Sequence, residues 1–140
     1  MYELRTKSQN SIEFAKMALD AAKIESEFLN LKQADVQLKA SLRILDARPQ
    51  DNEALRIKAM VLEALGNNYR MKAIERKHKV AEYREKAEHC ILDALEICER
   101  LKGNGDIQIA SILMSLGNVY FDKRDFHNAK KTYERYTISE

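Results

Sequence analysis

Residues 110–136 read Ala-Ser-Ile-Leu-Met-Ser-Leu-Gly-Asn-Val-Tyr-Phe-Asp-Lys-Arg-Asp-Phe-His-Asn-Ala-Lys-Lys-Thr-Tyr-Glu-Arg-Tyr. This stretch predicts two helices folded back on each other. Leu116 and Tyr120 are four apart and share one helical face, where they can meet a partner helix. Gly117 and Ala129 are small enough to let two helix backbones come close, and Tyr133, one turn after Ala129, fills the space between them. Lys123-Arg124-Asp125 supplies a short polar turn, with Asp125 placed to cap the second helix.

The spacing Leu-Gly-x-x-Tyr followed by Ala-x-x-x-aromatic resembles the tetratricopeptide (TPR) repeat, and the match covers about one fifth of the chain. The resemblance implies a right-handed α-solenoid of helix hairpins with a concave groove lined by the first helix of each. It implies a binding scaffold and names no partner.

Composition agrees with a helical reading. The 140 residues are 45% hydrophobic and 33% charged, with one Pro and four Gly, and no run alternates β-branched and polar residues over a strand length. An all-α single domain is expected, burying roughly two-thirds of its unfolded surface. Net charge is +2 from 24 basic and 22 acidic side chains, which disfavours a protein built to coat nucleic acid. Two Cys make no disulfide framework, and no stretch approaches the ~18 apolar residues of a membrane span. The N-terminus lacks an apolar signal core, so a reducing cytoplasmic setting is expected.

Working outward from 110–136, residues 1–9 are polar and expected to fray, with Asn10 and Glu13 as a capping-box-like helix start. Apolar residues then recur at helical spacing to about Asn30, and a break is expected around Leu31-Lys32-Gln33. A second helix from Ala34 ends at Pro49. Asp51 caps a third, whose stripe Leu55, Ala59, Leu62 and Leu65 is stopped by Gly66-Asn67-Asn68.

From Tyr69 to Leu101 there is neither Gly nor Pro. One elongated helix of ~50 Å is the expectation, with a break near Val80-Ala81 as the alternative. Lys102–Gly105 ends it, and Asp106 caps the last pair. Three hairpins result, at about 11–48, 52–101 and 106–138. No polar capping helix follows residue 138, which fits either a fragment of a longer repeat protein or an end covered by another chain.

Chemistry-bearing constellations are scarce. His89, Cys90 and Cys98 lack the paired spacing and further ligands of a zinc site, so the two Cys read as small core residues. There is no G-x-S-x-G, P-loop, H-E-x-x-H or G-x-G-x-x-G. No enzyme, metal or cofactor is expected. Lys72, Arg76, Lys79 and Lys86, with Tyr83 between the last two, recur at three- and four-residue spacing. On one long helix they would form a basic stripe, read first as a solvated face, then as a site for an acidic protein, and last as one for nucleic acid.

The TPR resemblance places Arg56, Met60, Met114, Asn118 and Asp122 in the groove, together with Ile57, Glu63, Ser111 and Ser115. Asn118 falls where family members that hold peptides often bond the peptide backbone. Met114 and Ser111 occupy places that a carboxylate clamp gives to cations, so a complete clamp is absent. The expected function is to bind a peptide or helical segment of another protein. The alternative is self-association through the C-terminal hairpin and the long helix, making a homo-oligomer.

Overall fold

The computed structural model describes the backbone of residues 2–76, 78–101 and 106–139, and the side chains of 11–76, 78–101 and 107–137. The described residues form six α-helices and no strand: α1 (Tyr2–Glu27), α2 (Leu31–Asp46), α3 (Asn52–Glu75), α4 (Val80–Arg100), α5 (Asp106–Asp122) and α6 (Phe126–Ser139). Each helix packs on the next, α1 also touches α3, and α3 touches α5.

Individual contacts give the directions. Ser41 Oγ on α2 donates to the Ala15 carbonyl on α1 at 3.0 Å, and Tyr133 Oη on α6 donates to Asn118 Oδ1 on α5 at 2.5 Å. Those residues lie at matching distances from the turns that join their helices, so the members of each pair run antiparallel. Across the first helices the partners advance in the same direction instead, with Lys16 beside Glu53 and Lys23 near Glu63 from α1 to α3, and a fixed offset from α3 to α5. Lys16 pairs with Glu53 at 3.1 Å, Ser111 Oγ donates to Glu63 at 2.7 Å, and Asn67 Nδ2 donates to Ser115 Oγ at 3.3 Å. Hence α1, α3 and α5 lie side by side and parallel.

One sequence device recurs in the second helices: a small residue and a large one four later, followed in α2 and α4, though not in α6, by a small one three after that. Ala34, Leu38 and Ser41 of α2 and Ala87, Ile91 and Ala94 of α4 are all wholly buried. In α6 Ala129 is buried and Tyr133 half-buried. The small residues bring the helices together and the large one fills the gap. The core they build is continuous from Ile12 to Val119.

Two turns share one geometry. After α1, Asn30 N–H bonds the Glu25 carbonyl at 2.8 Å with Leu29 at φ 61°; after α5, Asp125 N–H bonds the Tyr120 carbonyl at 2.9 Å with Arg124 at φ 62°. This is the Schellman ending, with a non-glycine residue in the left-handed position. Asp51 caps α3 through Glu53 and Ala54 N–H, and Asp125 accepts from Asn128 N–H at 3.2 Å at the start of α6.

Four expectations are corrected. Helix α1 begins at Tyr2, well before Asn10, and the first reversal falls at 28–30, ahead of Leu31. Gly66-Asn67-Asn68 does not stop α3, which runs on to Glu75. The long helix 69–101 does not form: Arg76 turns extended at φ −102° and ψ 111°, Lys79 is left-handed at φ 59°, and α4 starts afresh at Val80. The cause is tertiary. Only a reversal there lets Gly66 meet Ile91 and Tyr69 stack on Tyr83, with ring centroids 6.2 Å apart. Like charges at three- and four-residue spacing (Lys72, Arg76, Lys79) also weaken a continuous helix. The expected stop at Lys102–Gly105 and the side chains of Asn10, Asp106 and Ile138 lie outside the described residues.

Candidate functional site

Placing α1, α3 and α5 side by side leaves a groove of about 640 Å³ on their shared face. Helix α1 contributes Lys23, Ser26 and Glu27 to one wall, and α5 contributes Ile107, Gln108 and Ser111 to the other. Between them α3 lays down Met60, Glu63, Ala64, Asn67, Asn68 and Met71. Met60 and Met71 are each more than a third exposed and Ile107 is 90% exposed, so apolar atoms are open to solvent along the groove. Asn68 Nδ2 donates to the Leu31 carbonyl at 3.0 Å, which ties the groove's floor to α2.

Glu63 is the groove's distinctive polar group. Burial pushes its carboxyl above the ordinary carboxylate value, against the hydrogen bond from Ser111, the nearby charge of Lys23 and a hydrogen bond from Ser115. Its charge is therefore incompletely compensated, and a cation placed in the groove would stabilise it.

Of the residues expected to line a groove, Met60, Glu63 and Ser111 do so. Met114 is 37% exposed one turn further along α5, outside the lining. Asn118 is engaged by the Tyr133 hydroxyl, and Asp122 accepts from Arg70, tying α5 to α3. Arg56 is half-buried, with its Nε atom buried and lacking a hydrogen-bond partner. Ile57 belongs to the core and Ser115 is buried.

Sequence reasoning missed Lys23, Ser26 and Glu27, because α1 has no Leu-Gly pair to show which face turns inward. It missed Asn67 and Met71 because Gly66 was read as a helix end. The signal was present: Leu65-Gly66-x-x-Tyr69 repeats the spacing of Leu116-Gly117-x-x-Tyr120.

The basic stripe does not hold together. Lys72 is buried, 5.3 Å from the Tyr69 ring centroid and 3.4 Å from Asp35. Arg76 and Lys79 sit at the reversal between α3 and α4, and Lys86 lies over the Tyr69 ring and pairs with Glu82 at 3.2 Å. Tyr83 already stacks on Tyr69. A stripe needed one helix through all four cations, and the reversal removes it.

Among the described residues, no group of three or more His, Cys, Asp and Glu could hold a metal ion, and no helix is long and apolar enough to cross a membrane. Cys98 is buried and Cys90 half-buried; both are free thiols that burial pushes up to about 11. Compared with family models, curated proteins and solved structures, the chain matches none of them.

Proposed function

We propose that the chain is a TPR-like right-handed α-solenoid that acts as a non-catalytic interaction scaffold, holding a peptide or helical segment of another protein in the groove across α1, α3 and α5. The observation that carries this reading is an open groove, built on parallel first helices, in which Met60, Met71 and Ile107 stay exposed. Flexible thioether side chains adapt to varied apolar partners. The recurrence of Leu-Gly-x-x-Tyr at 65–69 and 116–120 supports the repeat reading. So does the close approach at Gly66 and Gly117 to the second helix of each pair.

The chemistry of the groove selects the partner's character. Apolar side chains would lie on Met60 and Met71, and a Lys or Arg of the partner would reach Glu63 and Glu27. Such a segment fits the helix-in-groove or extended-peptide modes of recognition. Free thiols suit a reducing cytoplasm.

Selection from a displayed library of short random peptides tests the proposal directly. The expected outcome is enrichment of sequences that combine apolar residues with a basic one. Binding of those peptides should fall at least about tenfold, or ~1.4 kcal/mol, in Met60→Glu and in Glu63→Gln. No enrichment, or equal binding to Met60→Glu, would overturn the reading.

A further inference from the structure

The outer face of α1 carries Phe14, Met17, Ala21 and Ile24, and Phe28 in the turn that follows continues the stripe at spacings of three and four. It lies opposite Ile12, Ala15, Leu19 and Ala22, which α1 buries in the core. Phe14 and Met17 are 62% exposed, Ile24 57% and Phe28 76%. The far side of a surface helix is ordinarily polar, and a contiguous apolar stripe there marks a contact surface.

The fold itself indicates what such a face packs against. The shared turn geometry at Leu29 and Arg124 puts α1 in register with α5, which matches Met17, Ala21 and Ile24 to Ile112, Leu116 and Val119. In α5 those three are buried, on the face where Lys123 reaches Glu85 and Glu88 of α4. The close approaches at Gly66 and Gly117 likewise align α3 with α5, and the matching Val61, Leu65 and Asn68 are buried, with Asn68 bonded to Leu31 of α2. Helices α3 and α5 thus bury against the preceding pair the same face that α1 leaves uncovered.

The opposite end of the molecule supplies the complementary half. Between α5 and α6 lies a groove of about 410 Å³ with a mainly apolar lining that includes Phe121, Phe126, Ala129 and Tyr133. Phe121 and Phe126 meet edge to face and are each more than half exposed. The corresponding groove of the α3–α4 pair is the one that seats α5. One pair of opposite charges would fall on the same side of this contact. Glu88, whose field acts on Tyr120 of α5, corresponds to Lys130 of α6, while Tyr120 corresponds to Glu25 of α1. A helix α1 seated in the α5–α6 groove would set Glu25 on the side of Lys130, within reach of its charge.

We propose that copies of this chain associate head to tail, the outward stripe of α1 in one copy seating in the α5–α6 groove of the next. Both halves of the contact are on one chain and differ from each other, so the contact is heterologous and propagates beyond a pair, into a ring or an open row. It leaves the groove across α1, α3 and α5 open, and stands whether or not that groove binds a peptide.

The test is mass in solution by light scattering over a concentration series, with helical content followed by circular dichroism. For the full chain, mass rises with concentration beyond a dimer. Met17→Glu/Ile24→Glu blocks the head, Phe121→Glu/Phe126→Glu blocks the tail, and each variant alone stays a monomer. Mixed together, they form a one-to-one dimer that grows no further, because one keeps a working tail and the other a working head. A full chain that is monomeric throughout would overturn the proposal. So would a tail-blocked variant that still pairs with itself, which would place α1 against α1. Should a charged variant lose its helical signal, Glu25→Cys mixed with Lys130→Cys replaces it. Oxidation should cross-link unlike copies at least about tenfold faster than either alone, and equal rates would refute the arrangement.

Discussion

Gly66 lies so close to Ile91 that no side chain fits between them: a Cβ there would stand 2.5 Å from Ile91 Cγ1 and 3.2 Å from the Ala87 carbonyl oxygen. Gly117 and Tyr133 repeat the relationship in the last pair. The glycine serves close approach, since it sits mid-helix in α3. Each contact sets how closely two antiparallel helices pack.

Gly66→Ala sets a gain in helix propensity of up to ~1 kcal/mol against overpacking of about 1–3 kcal/mol. The clash should win, lowering stability in urea unfolding. In an Ile91→Ala background the same change should become neutral or stabilising, because the crowding atoms are gone. A penalty that persists there would mean the Ala87 carbonyl, and not Ile91, limits the approach.

How much of this was legible follows from where each signal lay. The last pair was readable because Gly117, Ala129 and Tyr133 keep their spacing around a polar turn, and Asp51 and Asp125 cap the helices they precede. The reversal at 76–79 carries no Gly or Pro, so local propensity favoured a single helix; contacts between residues far apart decide it, as at Gly66 and Ile91. Gly66 then read as a stop because a glycine's two uses, turning and close approach, look alike in sequence. In the site, Met60 was found by periodicity, whereas Lys23 and Glu27 depend on how α1 is rotated, and that is set by packing on α2 and α3.

Arg124 holds φ 62° at the end of α5, an exposed position where a side chain crowds its own backbone. Arg124→Gly should stabilise the protein by about 1 kcal/mol in thermal unfolding, the relief of strain outweighing the added freedom of the unfolded chain. A lower melting temperature would show that the Arg124 side chain contributes a contact worth more than the strain.

Glu63 is held above its ordinary value chiefly by burial, so the folded chain takes up its proton at higher pH than the unfolded chain. Stability from this group is therefore greatest below the unfolded value and falls as pH rises through the folded one. Glu63→Gln, which can still accept from Ser111, should raise stability at neutral pH and flatten the acid side of the stability profile. A drop at neutral pH would mean that Ser111 and Lys23 more than offset the cost of burial.

Cys90 and Cys98 lead to a prediction on the alkaline side. Burial, helped by Asp93 at Cys90 and by Glu63 and Glu99 at Cys98, moves both thiols from 9.0 to about 11. The unfolded chain gives up these protons near the ordinary value while the folded chain keeps them, so stability falls as pH climbs from 9.0 towards about 11. Lys39 and Lys123, raised by hydrogen bonds to Asp35 and Glu85, add a loss above their ordinary 10.5. Between the two, a Cys90→Ser/Cys98→Ala variant should lose less stability per pH step than the native chain, while the lysine-driven loss at higher pH remains. The same burial predicts slow reaction with a disulfide reagent at pH 8, where few thiols are ionised. That rate should rise on adding sub-denaturing urea, because local opening exposes sulfur and restores its ordinary acidity. Fast labelling of both thiols at pH 8 without urea would contradict the burial of Cys98 in the core and of Cys90 against it.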